Sequence, residues 1–228
     1  MKRDFSARAA DPKDEAVFRN RREAGRKLAA ALMRVKDERP IVLALPRGGV
    51  PVAFEIARAL GAPLEVALVR KIGAPGHAEL GLGAVVDGAE PQMILNEELV
   101  RTVDPPPGYL EAEKTRQLAE LERRRKLYRA GRRAPAIEGR TVIVVDDGIA
   151  TGGTAKAVLR ALAMQKAGRV ILAVPVAPSD ALEELAPEAD EVVCLASPEP
   201  FFAVGEHYRD FTQTTDEEVV DLLQKAAR

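Results

Sequence analysis

The chain has 228 residues, enough to bury one substantial core, and its 46% hydrophobic and 30% charged residues are the balance of a globular protein. A formal net charge of -1 excludes a global field that would draw it to nucleic acid or a membrane surface, so any anion binding must be local. The single cysteine, Cys194, excludes a disulfide framework and a cysteine-based metal site, and reads as a buried structural thiol.

Met1 to Asp14 is charged and lacks the apolar core of a signal peptide, and no window reaches membrane-spanning length. A cytoplasmic protein with no membrane partner is expected, with Met1 to Lys13 loosely held. From Phe18 to Val35, the positions Phe18, Leu28, Leu32 and Val35 recur at helical spacing. Arg19, Arg21, Arg22, Arg26 and Lys27 take the other face, which predicts an amphipathic helix with a solvated basic side. Ile41 to Leu45 is apolar throughout, the pattern of a strand buried on both faces. It ends in Pro46-Arg47-Gly48-Gly49, after which Val50 to Leu60 has helical spacing. An arginine beside two glycines where a strand hands over to a helix suits an anion.

Leu64 to Val69 reads as the next strand, ending in Arg70-Lys71. The Gly/Pro-rich stretch from Ile72 to Glu79, with His77 in it, predicts a mobile lid. Gly81 to Val86 and Gln92 to Leu95 read as short strands around the turn Asp87-Gly88, and Asn96 caps a short helix to Val103. Tyr109 to Arg129 predicts a long charged helix with apolar positions Leu110, Leu118, Leu121 and Leu127. Its basic end, Arg123 to Lys126 with Arg129, Arg132 and Arg133, reads as a solvated surface. Aromatic interleaving is nearly absent, so an RNA-binding or substrate-steering patch is only the second reading and a nucleic-acid partner is not the expectation.

Thr141 to Val145 is a strand, Ala155 to Ala167 a helix, Arg169 to Val174 a strand, Ala181 to Leu185 a helix and Glu191 to Leu195 the last strand. An aromatic tail from Phe201 to Phe211 precedes a closing helix, Asp216 to Ala227. Alternating strands and helices predict an α/β fold, a mostly parallel sheet with helices on both faces. One domain over 1–228 is expected, with an insert at 78–133 and the tail at 196–228 forming a hood over the ligand edge.

The stretch Val142 to Thr154 concentrates the chemistry. An apolar run stops at Asp146-Asp147 and passes through Gly148-Ile149-Ala150-Thr151-Gly152-Gly153-Thr154 into a helix. The glycines admit a ligand close to the backbone, and free N–H groups at the helix start suit a phosphate. The two carboxylates would repel that anion unless they face a sugar diol or a hydrated divalent cation. A P-loop is excluded, because Thr154-Ala155 stands where Lys-Ser/Thr should follow Gly153. A dinucleotide fingerprint at Gly81-Leu82-Gly83 fails because Val86 replaces the third glycine.

The stretch Val142-Ile143-Val144-Val145-Asp146-Asp147-Gly148-Ile149-Ala150-Thr151-Gly152-Gly153-Thr154 closely resembles the signature of type I phosphoribosyltransferases. Leu45-Pro46-Arg47-Gly48-Gly49 resembles that family's pyrophosphate loop, and Arg70-Lys71 with the following loop resembles its flexible loop. From Phe18 onward the pattern is similar to the branch of uncharacterised bacterial predicted phosphoribosyltransferases. The resemblance implies binding of 5-phosphoribosyl-1-pyrophosphate (PRPP) with Mg²⁺. It implies ribose and water-mediated metal contacts at Asp146 and Asp147, and the 5-phosphate at Ala150, Thr151, Gly152, Gly153 and Thr154. Pyrophosphate would lie at Arg47, Gly48, Gly49, Arg70 and Lys71, with a cis peptide near Pro46-Arg47. Arg47, Lys71, Asp146 and Asp147 are then the catalytic candidates. Phe202, Tyr208 and Phe211 are candidates to stack on an unidentified base, and His77 and Glu79 to move its proton. The implied activity is transfer of phosphoribose to a nitrogenous base, as in nucleotide salvage, or its reverse. The alternative is a PRPP-sensing protein without turnover. A homodimer is the default expectation.

Overall fold

Ile41, Val42, Leu43 and Ala44 are all buried, as are Val142 to Val145 and Val170 to Val176. Only strands covered on both faces can carry such runs. The computed structural model describes residues 17–87, 91–129 and 134–227. The readings made for Met1–Lys13, Gly88, Arg132 and Arg133 lie outside the described residues, as does the side chain of Glu79. In chain order the elements are α1 (Arg21–Leu32), β1 (Ile41–Ala44), α2 (Gly49–Leu60), β2 (Leu64–Val66), β3 (Val69–Ala74), β4 (His77–Val86), β5 (Gln92–Leu95), α3 (Glu97–Val103), α4 (Tyr109–Arg129), β6 (Thr141–Val145), α5 (Gly153–Met164), β7 (Arg169–Val176), α6 (Ser179–Leu185), β8 (Glu191–Ala196) and α7 (Asp216–Ala226).

Five strands form a parallel sheet in the order β2-β1-β6-β7-β8, and β3-β4-β5 form a separate antiparallel sheet. Alternate residues of each central strand feed opposite cores. Val42, Ala44, Ile143, Val145 and Ile171 pack with Leu28 and Leu32 of α1, Ile56 and Leu60 of α2 and Leu222 of α7. Leu43, Leu45, Val142, Val144 and Leu172 pack with Val158 and Leu162 of α5 and Leu185 of α6. The small sheet continues both layers: Ile72, Leu82 and Val85 join the first core, and Ala84 and Val86 join the second. Among the described residues no helix is long and apolar enough to cross a membrane.

Three readings of the sequence are corrected. The stretch from Ile72 to Glu79 is no open loop: β3 and β4 make a hairpin turning at Pro75-Gly76, with Gly76 at φ +74. Register shifts at Ile72/Gly73 and Gly73/Ala74 let the glycines sit within a strand, as bulges do. Secondly, α1 starts at Arg21, because the Asn20 side chain accepts from Glu23 N–H and caps the helix there. Phe18 lies outside it, buried and bridged to Tyr208. Thirdly, the basic end of α4 is partly internal. Arg129 pairs with Glu65 at 3.2 Å and Asp87 at 2.7 Å, all three groups being buried, and Arg125 pairs with Asp87. These pairs tie α4 to the ends of β2 and β4.

The helices α1 and α2 approach so closely that a Cβ on Gly25 would lie 2.6 Å from the carbonyl oxygen of Val52 and 3.0 Å from Glu55 Cβ. Helix propensity alone favours alanine over glycine by about 1 kcal/mol. Here the obstacle is backbone, and overpacking costs about 1–3 kcal/mol. Gly25→Ala is therefore expected to be net destabilising, by up to about 2 kcal/mol, in urea unfolding. A stabilised variant would refute the close contact.

Candidate active site

The strand order places β1 beside β6, with β2 on one outer side and β7 on the other. The chain leaves β1 through α2 toward one face and leaves β6 through α5 toward the other. Parallel sheets open a crevice at such a switch point, at the carboxyl ends of the strands. The loops there are Pro46–Gly49 and Asp146–Gly152. Leu45 N–H donates to Val145 C=O at 2.8 Å, carrying the pairing right up to both loops. A Cβ on Gly49 would lie 2.6 Å from Val145 C=O, and one on Gly48 would overlap the Asp147 carboxylate. The two glycines thus let the loops touch. The Pro46-Arg47 peptide bond is cis.

Beyond the acids, Gly152 stands at φ +72, a conformation glycine adopts readily, and starts α5 with no side-chain cap. The N–H groups of its first turn are left for water or a ligand, at the positive end of the helix dipole. Ala150, Thr151 and Gly153 are exposed and Gly152 and Thr154 half-buried, so a loop of small residues and two hydroxyls faces outward.

The two acids differ. The Asp146 carboxyl is half-buried, with Oδ1 accepting the Asp147 N–H at 2.8 Å and lying 3.3 Å from a Cβ built on Gly49. Burial first, and the like charge of Asp147 second, push its pKa well above the ordinary range. Asp147 instead meets a cation: Arg21 Nε donates to Oδ2 at 2.6 Å, with the two side chains only 11% and 14% exposed. The Tyr208 hydroxyl donates to Asp147 C=O at 2.5 Å. Sequence reading had put Arg21 on a solvated face; its position in the first turn of α1, just after a buried phenylalanine, was the only available signal.

Arg47 sits 3.8 Å from Asp216, the first residue of α7, which also accepts the Tyr128 hydroxyl at 2.5 Å. Burial, then this carboxylate, raise the Tyr128 pKa to about 12. The structure does not bring Arg70 and Lys71 into the same cavity as the two loops. They line a separate cavity of about 630 Å³ between the hairpin and α4, with His77, Glu113 and Arg116. Arg70 Nε donates to Gln117 at 2.8 Å, and burial followed by Arg124 lowers its pKa. Another cavity, of about 600 Å³, lies on the α5 side and is lined by no residue of either loop.

The aromatic tail divides. Tyr208 packs against Phe18 at 5.4 Å and stacks on Phe211 at 5.1 Å, while Arg21 lies 3.8 Å over the Phe211 ring. Tyr208 and Phe211 are therefore engaged in a column and do not offer free faces to a base. Phe202 remains 75% exposed. His207, buried against Phe201 at 4.9 Å, has its pKa lowered by burial, and its Nε2 meets no partner among the described residues. Cys194 is half-buried, its Sγ 3.1 Å from Ala196 C=O, and burial raises its pKa as expected of an inert thiol.

A family model described as phosphoribosyl transferase domain matches residues 15–210. The chain belongs to the phosphoribosyl transferase family. Two Mycobacterium tuberculosis proteins, each provisionally named a phosphoribosyl transferase, are 48% identical over 212 residues, which is 93% of this chain and 47% of theirs. The chain thus spans about half the length of the curated relatives it matches. Among solved structures, this phosphoribosyl transferase chain is similar to TT1426 from Thermus thermophilus, with a TM-score of 0.81 and 47% identity, covering 91% of this chain and 98% of that one.

The raised Asp146 pKa has a sign that can be tested. Below the ordinary carboxylate value of 3.8, folded and unfolded chains both hold the proton and the group contributes nothing. As pH rises past it, the unfolded chain releases the proton while the folded chain keeps it, so stability is lost until the raised folded value is reached. Asp146→Asn keeps the oxygen that accepts from Asp147 and removes the titration. Its melting temperature is expected above wild type at neutral pH, with the gain vanishing below pH 3.8. Equal values at neutral pH would contradict the assignment.

Proposed function

We propose that the protein is a Mg²⁺-dependent phosphoribosyltransferase that moves phosphoribose from PRPP to a nitrogenous base, or runs the reverse reaction. The observation that carries this reading is the contact between the two loops at the β1–β6 switch point: an arginine-glycine loop touches an acid pair that continues into an open helix N-terminus. A molecule with a phosphate at one end, a diol in the middle and a pyrophosphate at the other spans such a crevice.

In this reading the N–H groups and hydroxyls from Ala150 to Thr154 receive the 5-phosphate. Asp146 and Asp147 take the ribose hydroxyls, and Arg47 with the N–H groups of Gly48 and Gly49 takes the pyrophosphate. The C1–O bond breaks with its electron pair leaving on pyrophosphate, and the acceptor nitrogen forms the new bond to C1 and gives up its proton. No protein nucleophile is needed. Positive charge grows on the sugar beside the carboxylates, and negative charge grows on pyrophosphate beside Arg47, so positioning and electrostatics carry the rate. The resemblance offers His77 and Glu79 as proton acceptors, but His77 lines the separate cavity beside α4; Phe202 is the proposed stacking surface.

Among the described residues no group of three or more His, Cys, Asp or Glu side chains could hold a metal ion. Two adjacent carboxylates nonetheless fit a hydrated divalent cation that shares its shell with ligand oxygens. Asp146 and Asp147 would hold it largely through water, and when bound it would neutralise charge on the pyrophosphate.

Isothermal titration with PRPP in saturating Mg²⁺, followed by pyrophosphate release across a panel of bases, tests the reading. Each charge-assisted hydrogen bond is worth about 1.5–3 kcal/mol. Asp146→Asn combined with Asp147→Asn is therefore expected to weaken PRPP by about 100-fold or more. Absence of PRPP binding by the wild type, or unchanged binding by the double variant, would refute the reading. Binding without pyrophosphate release from any base would leave a PRPP sensor in its place.

A further inference from the structure

Arg21 reaches the crevice from the start of α1, yet it lies in neither ligand loop. Its guanidinium has three attachments. Nε donates to Asp147 Oδ2 at 2.6 Å, Nη1 donates to Thr212 C=O at 2.7 Å, and Cζ lies 3.8 Å from the centre of the Phe211 ring. The tail that supplies Thr212 and Phe211 is itself fixed to the start of the chain. Phe18 N–H donates to His207 C=O at 3.0 Å, Arg209 N–H to Phe18 C=O at 2.9 Å and Asp210 N–H to Arg19 C=O at 2.9 Å. Two of the three attachments would therefore hold the guanidinium in place whatever Asp147 did.

On the other side of the same oxygen lies Gly48, where any Cβ would overlap the Asp147 carboxylate. Oδ2 is thus wedged between a fixed cation and the pyrophosphate loop, which sets the rotation of the carboxylate and leaves Oδ1 outside the arginine's grip. The adjacent acid benefits too. Its Oδ1 accepts the Asp147 N–H at 2.8 Å, so an Asp147 held in place also fixes its neighbour.

We propose that Arg21 is a positioning residue for sugar recognition: it fixes the Asp147 carboxylate so that a pentose cis-diol meets an arginine–carboxylate unit anchored to both ends of the fold. This rests on the PRPP reading and adds a residue outside its motifs. Arg21 does not touch the sugar; it acts through Asp147. A lysine cannot replace it, because one ammonium on a flexible stem cannot serve Asp147 and Thr212 from two separate nitrogens while also covering the Phe211 ring.

The test separates the sugar from the leaving group. Ribose 5-phosphate and inorganic pyrophosphate are titrated separately, in Mg²⁺ buffer, into wild type, Arg21→Gln, Arg21→Lys and Phe211→Leu. Arg21→Gln is expected to weaken ribose 5-phosphate about tenfold or more while leaving pyrophosphate binding unchanged. Arg21→Lys should recover only part of the loss, and Phe211→Leu, which loosens the guanidinium without removing it, should weaken the sugar probe in the same direction. Ribose 5-phosphate binding that is unchanged or tighter in Arg21→Gln would overturn the proposal, tighter binding marking the arginine as a competitor. Equal loss of both probes would reduce Arg21 to a structural part, which also overturns it. If Arg21→Gln does not fold, Phe211→Leu decides by the same criterion. Wild type that takes up neither probe would defeat the PRPP reading itself, a result distinct from all of these.

Discussion

The parallel pairing of β1 with β6 is the constraint on which the rest of the crevice depends. It runs through Ala44 and Val145 and ends with Leu45 N–H on Val145 C=O. Beyond that bond the two chains must part toward opposite faces, since α2 and α5 belong to different cores. Whatever lies in the first residues after each strand is forced together. A side chain at Gly48 or Gly49 would push the loops apart, so the glycines are needed here for clearance between loops.

Bringing an acid pair, an arginine and a helix N-terminus into one crevice creates an electrostatic problem that the molecule solves from outside the loops. Both terminal segments take part. Arg21, at the first helix, compensates Asp147, and Asp216, at the last, lies 3.8 Å from Arg47. The phenol of Tyr208 holds the acid loop by its backbone carbonyl, and the Tyr208 ring packs against Phe18 and Phe211. Burial and the charge of Asp147 together disfavour ionisation of the Tyr208 hydroxyl, so it stays a donor.

The hairpin β3–β4 and helix α4 rise beside this crevice as an extension of the same two cores. Their attachment is electrostatic as well as apolar. Buried Glu65 and Asp87 draw Arg129 inward, and removing one partner of such a set leaves an uncompensated charge, which is why buried pairs are costly to break. Arg70 and Lys71 belong to this extension and line the cavity it forms with α4, where Arg70 bonds Gln117.

The sequence by itself determined the parallel α/β core and the positions of the two glycine-containing loops after β1 and β6. Those features are local: fully apolar runs declare strands buried on both faces, and a strand that ends in glycines and acids before a helix declares its loop within a dozen residues. The resemblance of Val142 to Thr154 and of Leu45 to Gly49 to one family could be read for the same reason. Tertiary structure alone decided the rest. Gly73 and Gly76 have the composition of a loop, and only the cross-strand partners in β4 make that segment a strand. Arg21 and Tyr208 look like a surface cation and a generic aromatic, because their partners stand 126 and 61 residues away and a pairing of that separation leaves no periodic trace. Local patterns fix which elements form; the closing of the chain's two ends over Asp147 depends on contacts that exist only once those elements have packed.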